Sequence, residues 1–320
     1  MNEAKAKKLQ ISNDFLSCVI FVGSFAATAL LAIITGGTPT FPIHYHLIDK
    51  GVPITDVTMQ FSLREILELV YVGPVFCSFG WYAYSKMYNN IPDDRWKKKI
   101  QPELNILYVI AITFIVMGTA LHGITNRIHE LMKDESLTGN EAYYTTYFYD
   151  EIISHLLIPA GFFGMLFINA ILDAREGNKD LKLAHTEMYI SIAIGAALSG
   201  TWTFSLLEGQ VDLFYSIIFT IIPFFVLFLK WFLNKRKGWN FSIKNNPYIL
   251  VLFVFCISNV SSTLTWLFWY WPPHRFWPFL HQPSEGYPAF WPILIPTLIS
   301  FGICVTVAII FTKKPRDLKK

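Results

Sequence analysis

The chain has 320 residues, 53% hydrophobic and 15% charged, with a formal net charge of +3 and a mean hydropathy of +0.40. That composition excludes an ordinary soluble globular protein, and several apolar runs reach the roughly 20 residues a bilayer span requires. A charge so close to balance, with the basic residues gathered in short loops, also excludes nucleic-acid binding.

Residues 1–14 carry Lys5, Lys7 and Lys8 and lead into a first predicted span at about 15–35. Its length and basic leader read as a retained span, not a cleaved signal peptide. A loop with Pro42, His44, His46 and Asp56 follows. Span two, about 64–85, opens on Arg64, Glu65 and Glu68, and Pro74 is expected to kink it. Beyond the basic loop from Lys86 to Glu103 come span three, about 104–125, and span four, about 146–172. Arg175, Lys179 and Lys182 lie before span five, about 187–207, and span six covers about 212–229. The basic stretch KWFLNKRKGWNFSIK separates these from span seven, about 248–271, and span eight, about 288–312. The expected fold is all-α: one polytopic membrane domain over residues 1–320, built as a bundle of eight transmembrane helices. Cys18, Cys77, Cys256 and Cys304 fall inside apolar runs and read as small buried hydrophobes.

An even number of spans puts both termini on one side, and the charges choose which. Of 26 Lys and Arg, only Lys50, Arg64, Arg127, Lys133 and Arg275 fall opposite the termini. Basic residues accumulate on the cytoplasmic side, so the N- and C-termini are expected there, in a multi-pass protein of the cell membrane. His44, His46, His122, His129, His155, His274 and His281 then fall at or near the extracytoplasmic face, and His185 alone lies inside. Glu68, Glu130, Asp150, Glu151, Glu208 and Asp212 collect on the same outer side.

The densest polar group lies where spans three and four meet, in MGTALHGITNRIHELMKDESLTGNEAYYTTYFYDEIISHLLIPA. Helical spacing aligns His122, Asn126 and His129 on one face, and Glu151 with His155 on the next helix. Ionisable groups at a span cost about 2.5–3.5 kcal/mol at mid-depth, which makes them markers of function. Imidazole with carboxylate suits zinc, iron or manganese. The expected metal ligands are His122, His155, Glu151 and His129, with Glu151, Asp150 and His129 as the catalytic acid–base groups and Zn or Fe as the cofactor. The bland alternative is a set of solvated helix ends. His274 and His281 repeat the seven-residue spacing within TWLFWYWPPHRFWPFLHQPSEGYPAFWP, residues 265–292. That segment reads as an interfacial aromatic belt, with a lid over the outer site as the alternative.

The leading expectation is a membrane-embedded, metal-dependent hydrolase or oxidoreductase acting on a lipid or amphiphile from the extracytoplasmic face. One alternative is a redox protein with haem b between His122 and His155. Another is a proton- or cation-linked transporter or receptor. Spans seven and eight contain no lysine for a retinal Schiff base, and neither a phosphate loop nor a nucleophile elbow is present. An Asp after a His-bearing helix is similar to the alkaline ceramidase-like membrane hydrolases, but the paired histidines those need on a late helix are missing within spans seven and eight.

Overall fold

A computed structural model describes residues 13–28, 40–49, 52–91, 95–134, 136–175, 183–208 and 245–270, with a few isolated positions beyond them. Helix predominates. In chain order the helices are α1 (Asp14–Thr28), α2 (Leu63–Asn90), α3 (Arg95–Asp134), α4 (Glu141–Arg175), α5 (His185–Glu208) and α6 (Pro247–Tyr270). Among the described residues, α2, α3 and α4 are long and apolar enough to cross a membrane. The helices α5 and α6 fall where spans five and seven are expected. Spans six and eight, and the aromatic segment beyond Tyr270 with His274 and His281, lie outside the described residues.

The outer surface of α3 is compatible with a membrane protein. Ile106, Val109, Met117 and Ile124 are each half or more exposed along one continuous helix. Soluble proteins rarely present so long an apolar stripe, whereas lipid tails solvate it at no cost. At about 1.5 Å per residue, the 40 residues of α3 reach about 60 Å, twice a hydrocarbon core of about 30 Å. The helix therefore runs past the expected 104–125 at both ends. Hydropathy marks only its apolar middle, while the charged turns stay helical in water.

Small residues set the spacing of α3 and α4. A Cβ at Gly161 would strike the Ala111 carbonyl and approach Ile115 within 2.8 Å, and one at Gly118 would meet Ile158 and Leu157. Helices in lipid associate through such close backbone approach, since no hydrophobic gradient drives them together. Phe25 and Phe162 stack at 4.0 Å between ring centroids, and Phe21 stacks on Phe76 at 5.2 Å, joining α1, α2 and α4. At the far end of α4, the buried Asp173 carboxylate accepts hydrogen bonds from the Tyr248 amide at 3.0 Å and from Asn246 Nδ2 at 3.0 Å. The Tyr248 bond, with a longer one from the Ile249 amide at 3.4 Å, occupies backbone donors that the first turn of α6 would otherwise leave unpaired.

One difference from the sequence reading is a β-hairpin in the first loop. Strands β1 (Thr40–Asp49) and β2 (Val52–Ser62) pair antiparallel, with Tyr45 opposite Val57 and His46 opposite Asp56. Val52, Ile54, Thr55, Val57 and Thr58 give β2 the branched composition that favours extended backbone. Polar residues interspersed among them keep this stretch below any hydropathy threshold, so it reads as loop. His44 and His46 lie on β1.

Candidate metal centre

Three helix ends converge on one level. Ser62 starts α2 with a capping box: its hydroxyl accepts from the Glu65 amide at 3.2 Å, and Glu65 accepts from the Ser62 amide at 2.5 Å. That fixed first turn aims Arg64 and Glu68 at α3. On α3, His122, Thr125 and His129 share the face towards α4, and all three are buried. The α4 helix begins under Asn140, whose side chain caps Ala142, and it brings Tyr143, Asp150, Glu151 and His155 back antiparallel to α3.

Two of these helix ends are π-helical, over Leu67–Phe76 and Phe148–Ser154. Pro74 lies within the first and Pro159 follows closely on the second. A proline has no N–H for the carbonyl one turn back, so wider turns become competitive. Insertions of this kind concentrate at functional sites because they re-aim side chains without breaking the helix.

Asp150 is the centre of the group, 1% exposed. Its Oδ1 accepts weakly from Thr125 Oγ1 at 3.5 Å. Its Oδ2 lies 3.7 Å from His129 Nδ1 and has no hydrogen-bond partner among the described residues. The other nitrogen of His129 meets Tyr143 Oη at 2.9 Å, which fixes the ring. His129, Asp150 and Glu151 offer one ligand atom each, all within 4.8 Å of one another. At 3.7 Å a hydrogen bond is not formed. Two ligands about 2.1 Å from one ion lie about 3.4 Å apart at a tetrahedral angle, so the same gap matches shared coordination.

His122 is held differently from the sequence expectation. Its Nδ1 donates to Glu68 Oε2 at 2.7 Å, since a carboxylate there can only accept, and Arg64 Nη2 donates to its Nε2 at 2.8 Å. Arg64 Nε is also bonded to Glu68 Oε1 at 3.0 Å. His155 stands edge-on to His122 with ring centroids 5.0 Å apart, and its Nε2 is 4.0 Å from Glu151 Oε2. Axial haem ligation places the two imidazoles on opposite faces of a porphyrin. Rings 5.0 Å apart in a T-shape leave no room for one, so these residues do not fit haem b.

All the expected site residues, His122, His129, Asp150, Glu151 and His155, come together here. Of Glu130 only the backbone is described. Tyr143 and Thr125 join the site without a motif in the sequence to mark them, and Arg64, expected only to mark the start of a span, bonds His122 and Glu68. Thr125 is three residues from His122 and four from His129, so helical spacing alone could have found it. No protein-family model, no curated protein and no solved structure matches this chain.

Proposed function

We propose that the protein is a membrane-embedded, metal-dependent enzyme, a hydrolase or oxidoreductase, acting on a lipid or other amphiphile from the extracytoplasmic face. The observation that carries this reading is Asp150 Oδ2, a buried carboxylate oxygen facing His129 Nδ1 across 3.7 Å with no hydrogen-bond donor among the described residues. A buried carboxylate oxygen without a hydrogen-bond donor is costly, and a cation between these two atoms would relieve the cost. His129, Asp150 and Glu151 would hold the ion, and their imidazole and carboxylate donors suit Zn or Fe.

When bound, such an ion supplies Lewis acidity at a carbonyl or phosphoryl oxygen. The chain supplies the rest. Tyr143 fixes the His129 ring, Thr125 steadies Asp150, and His155 Nε2, 4.0 Å from Glu151 Oε2, is placed to exchange protons at the same end of the site. Ile124, Ile128, Phe148 and Tyr149 are exposed on the same helix ends, which supports an amphiphilic substrate approaching through lipid.

The direct test is metal analysis of the protein purified in detergent. At least one Zn or Fe per chain is expected, and a chelator should remove it together with activity on lipid esters. A folded protein that retains no transition metal would overturn the reading in favour of a proton- or cation-linked transporter or receptor.

Sidedness rests on the eight-span arrangement and its charge bias. A reporter inserted between residues 134 and 140 is expected outside the cell, while one near Lys237 and one after Lys320 are expected in the cytoplasm. Cytoplasmic signal from the 134–140 position would place the cluster on the other face.

A further inference from the structure

At the end of the bundle opposite the candidate metal centre, α2, α3 and α4 close on a basic and aromatic patch. The Arg175 guanidinium, in the last turn of α4, lies over the Trp96 ring at the start of α3, 5.3 Å from its centroid. Beside them the Lys97 ammonium donates to the Ile91 carbonyl at 3.1 Å, where α2 ends, and stands 4.7 Å from the centre of the Tyr88 ring. Lys98 and Lys99 come next in the chain, both exposed.

Helix stability does not explain three consecutive lysines at this place. The first turn of a helix carries the positive pole of its dipole, which repels cations and favours acids, and the first turn of α3 holds no acid. Depth tells what the patch meets. The apolar stretch of α3 is expected from residue 104, and its exposed face is apolar at Ile106 and Leu107. At about 1.5 Å per residue, Lys99 lies about 8 Å and Trp96 about 12 Å before Leu104 along the axis. A headgroup layer is about 5–8 Å deep on each side of the hydrocarbon, so these amines stand at the level of lipid phosphates. Tryptophan favours the same level.

We infer that this patch binds the phosphate of an anionic lipid headgroup. The inference rests on the membrane part of the reading above and is independent of its metal. Lys98 and Lys99 supply the charge, each ammonium meeting phosphate oxygens as a compact donor. Lys97 acts as a strut, since its ammonium is spent on the end of α2. The Trp96–Arg175 stack ties α3 to α4 and gives the headgroup a flat floor. Basic side chains beside a membrane span attract anionic lipid, each worth about fivefold in affinity.

The experiment is a titration of the full chain in detergent with phosphatidylglycerol, and separately with phosphatidylcholine, read by native mass spectrometry of the lipid retained. Wild type should bind phosphatidylglycerol more tightly than phosphatidylcholine. The double variant Lys98→Gln/Lys99→Gln should bind phosphatidylglycerol about thirtyfold more weakly. Lys133→Gln, at the other end of the same helix, should bind it as wild type does. Gel filtration of each form reports folding, and both lysines are exposed, so their replacement leaves the packing intact. Equal affinity of wild type for the two lipids, or undiminished phosphatidylglycerol binding in the folded double variant, would overturn the site. Complete displacement of the lipid by millimolar inorganic phosphate would overturn the lipid assignment in favour of a free anion. Metal bound at the other end does not enter these readings, so either inference can fail while the other stands.

Discussion

Asp150→Asn is expected to give a folded, monodisperse protein that loses its metal on desalting. The substitution keeps the side-chain volume, so packing between α3 and α4 should survive. It removes the charge and replaces one carboxylate oxygen with an amide nitrogen, which is no ligand for Zn or Fe. Residues that only support a ligand typically cost 10–100-fold in affinity when changed. Loss of a coordinating carboxylate should therefore weaken binding by at least about a hundredfold. Metal content per chain, measured beside the gel-filtration profile, decides the matter. Full occupancy in Asp150→Asn would show that the ligand set has been assigned to the wrong atoms.

Gly161→Leu is expected to separate the two helices that build the site. Even a Cβ at this position collides with the Ala111 carbonyl and comes within 2.9 Å of the Ile115 amide. Both are backbone atoms inside a helix, and neither can retreat by changing rotamer. Overpacking typically costs about 1–3 kcal/mol, and backbone collisions belong at the upper end or beyond. The separation should also pull His129 on α3 away from Asp150 on α4. Thermal unfolding in detergent and metal content should therefore fall together. Gly73→Ala is the matched control, since a Cβ there meets nothing within 4 Å. A Gly161→Leu protein that melts with wild type would mean that α3 and α4 do not pack as described.

The long apolar helices α2, α3 and α4 were legible because hydrophobic runs of span length have few other uses. Their charged ends were not, because hydropathy fades before the helix does; α3 shows this, running from Arg95 to Asp134 around an apolar core. The polar cluster was legible for a different reason. His122 and His129 stand two turns apart on one helix, and the short connection to α4 forces Asp150, Glu151 and His155 back to the same depth. What helical spacing could not give was the division of labour between them. An α-helical template treats His122 and His129 as equivalent. The structure separates them through residues distant in sequence: Glu68 and Arg64 take both nitrogens of His122, and Tyr143 takes one nitrogen of His129. Tyr143 lies in a stretch of four tyrosines among polar residues, where nothing in the sequence singles it out. The hairpin over residues 40–62 was hidden by its mixed composition.

The π-helical segment at Phe148–Ser154 gives α4 an indexing slip between its tip and its shaft. Each α-helical residue advances about 100° around the axis, so one additional residue in a turn rotates everything beyond it by about that amount. The shaft, from His155 onward, keeps Gly161 and Phe162 aligned with the core, while the tip is dialled separately to point Asp150 at α3. Deleting a single residue from 148–154 would leave the shaft seated and swing the carboxylates away from α3. The aim of the polar group at the tip and the anchoring of the shaft can thus change independently of one another.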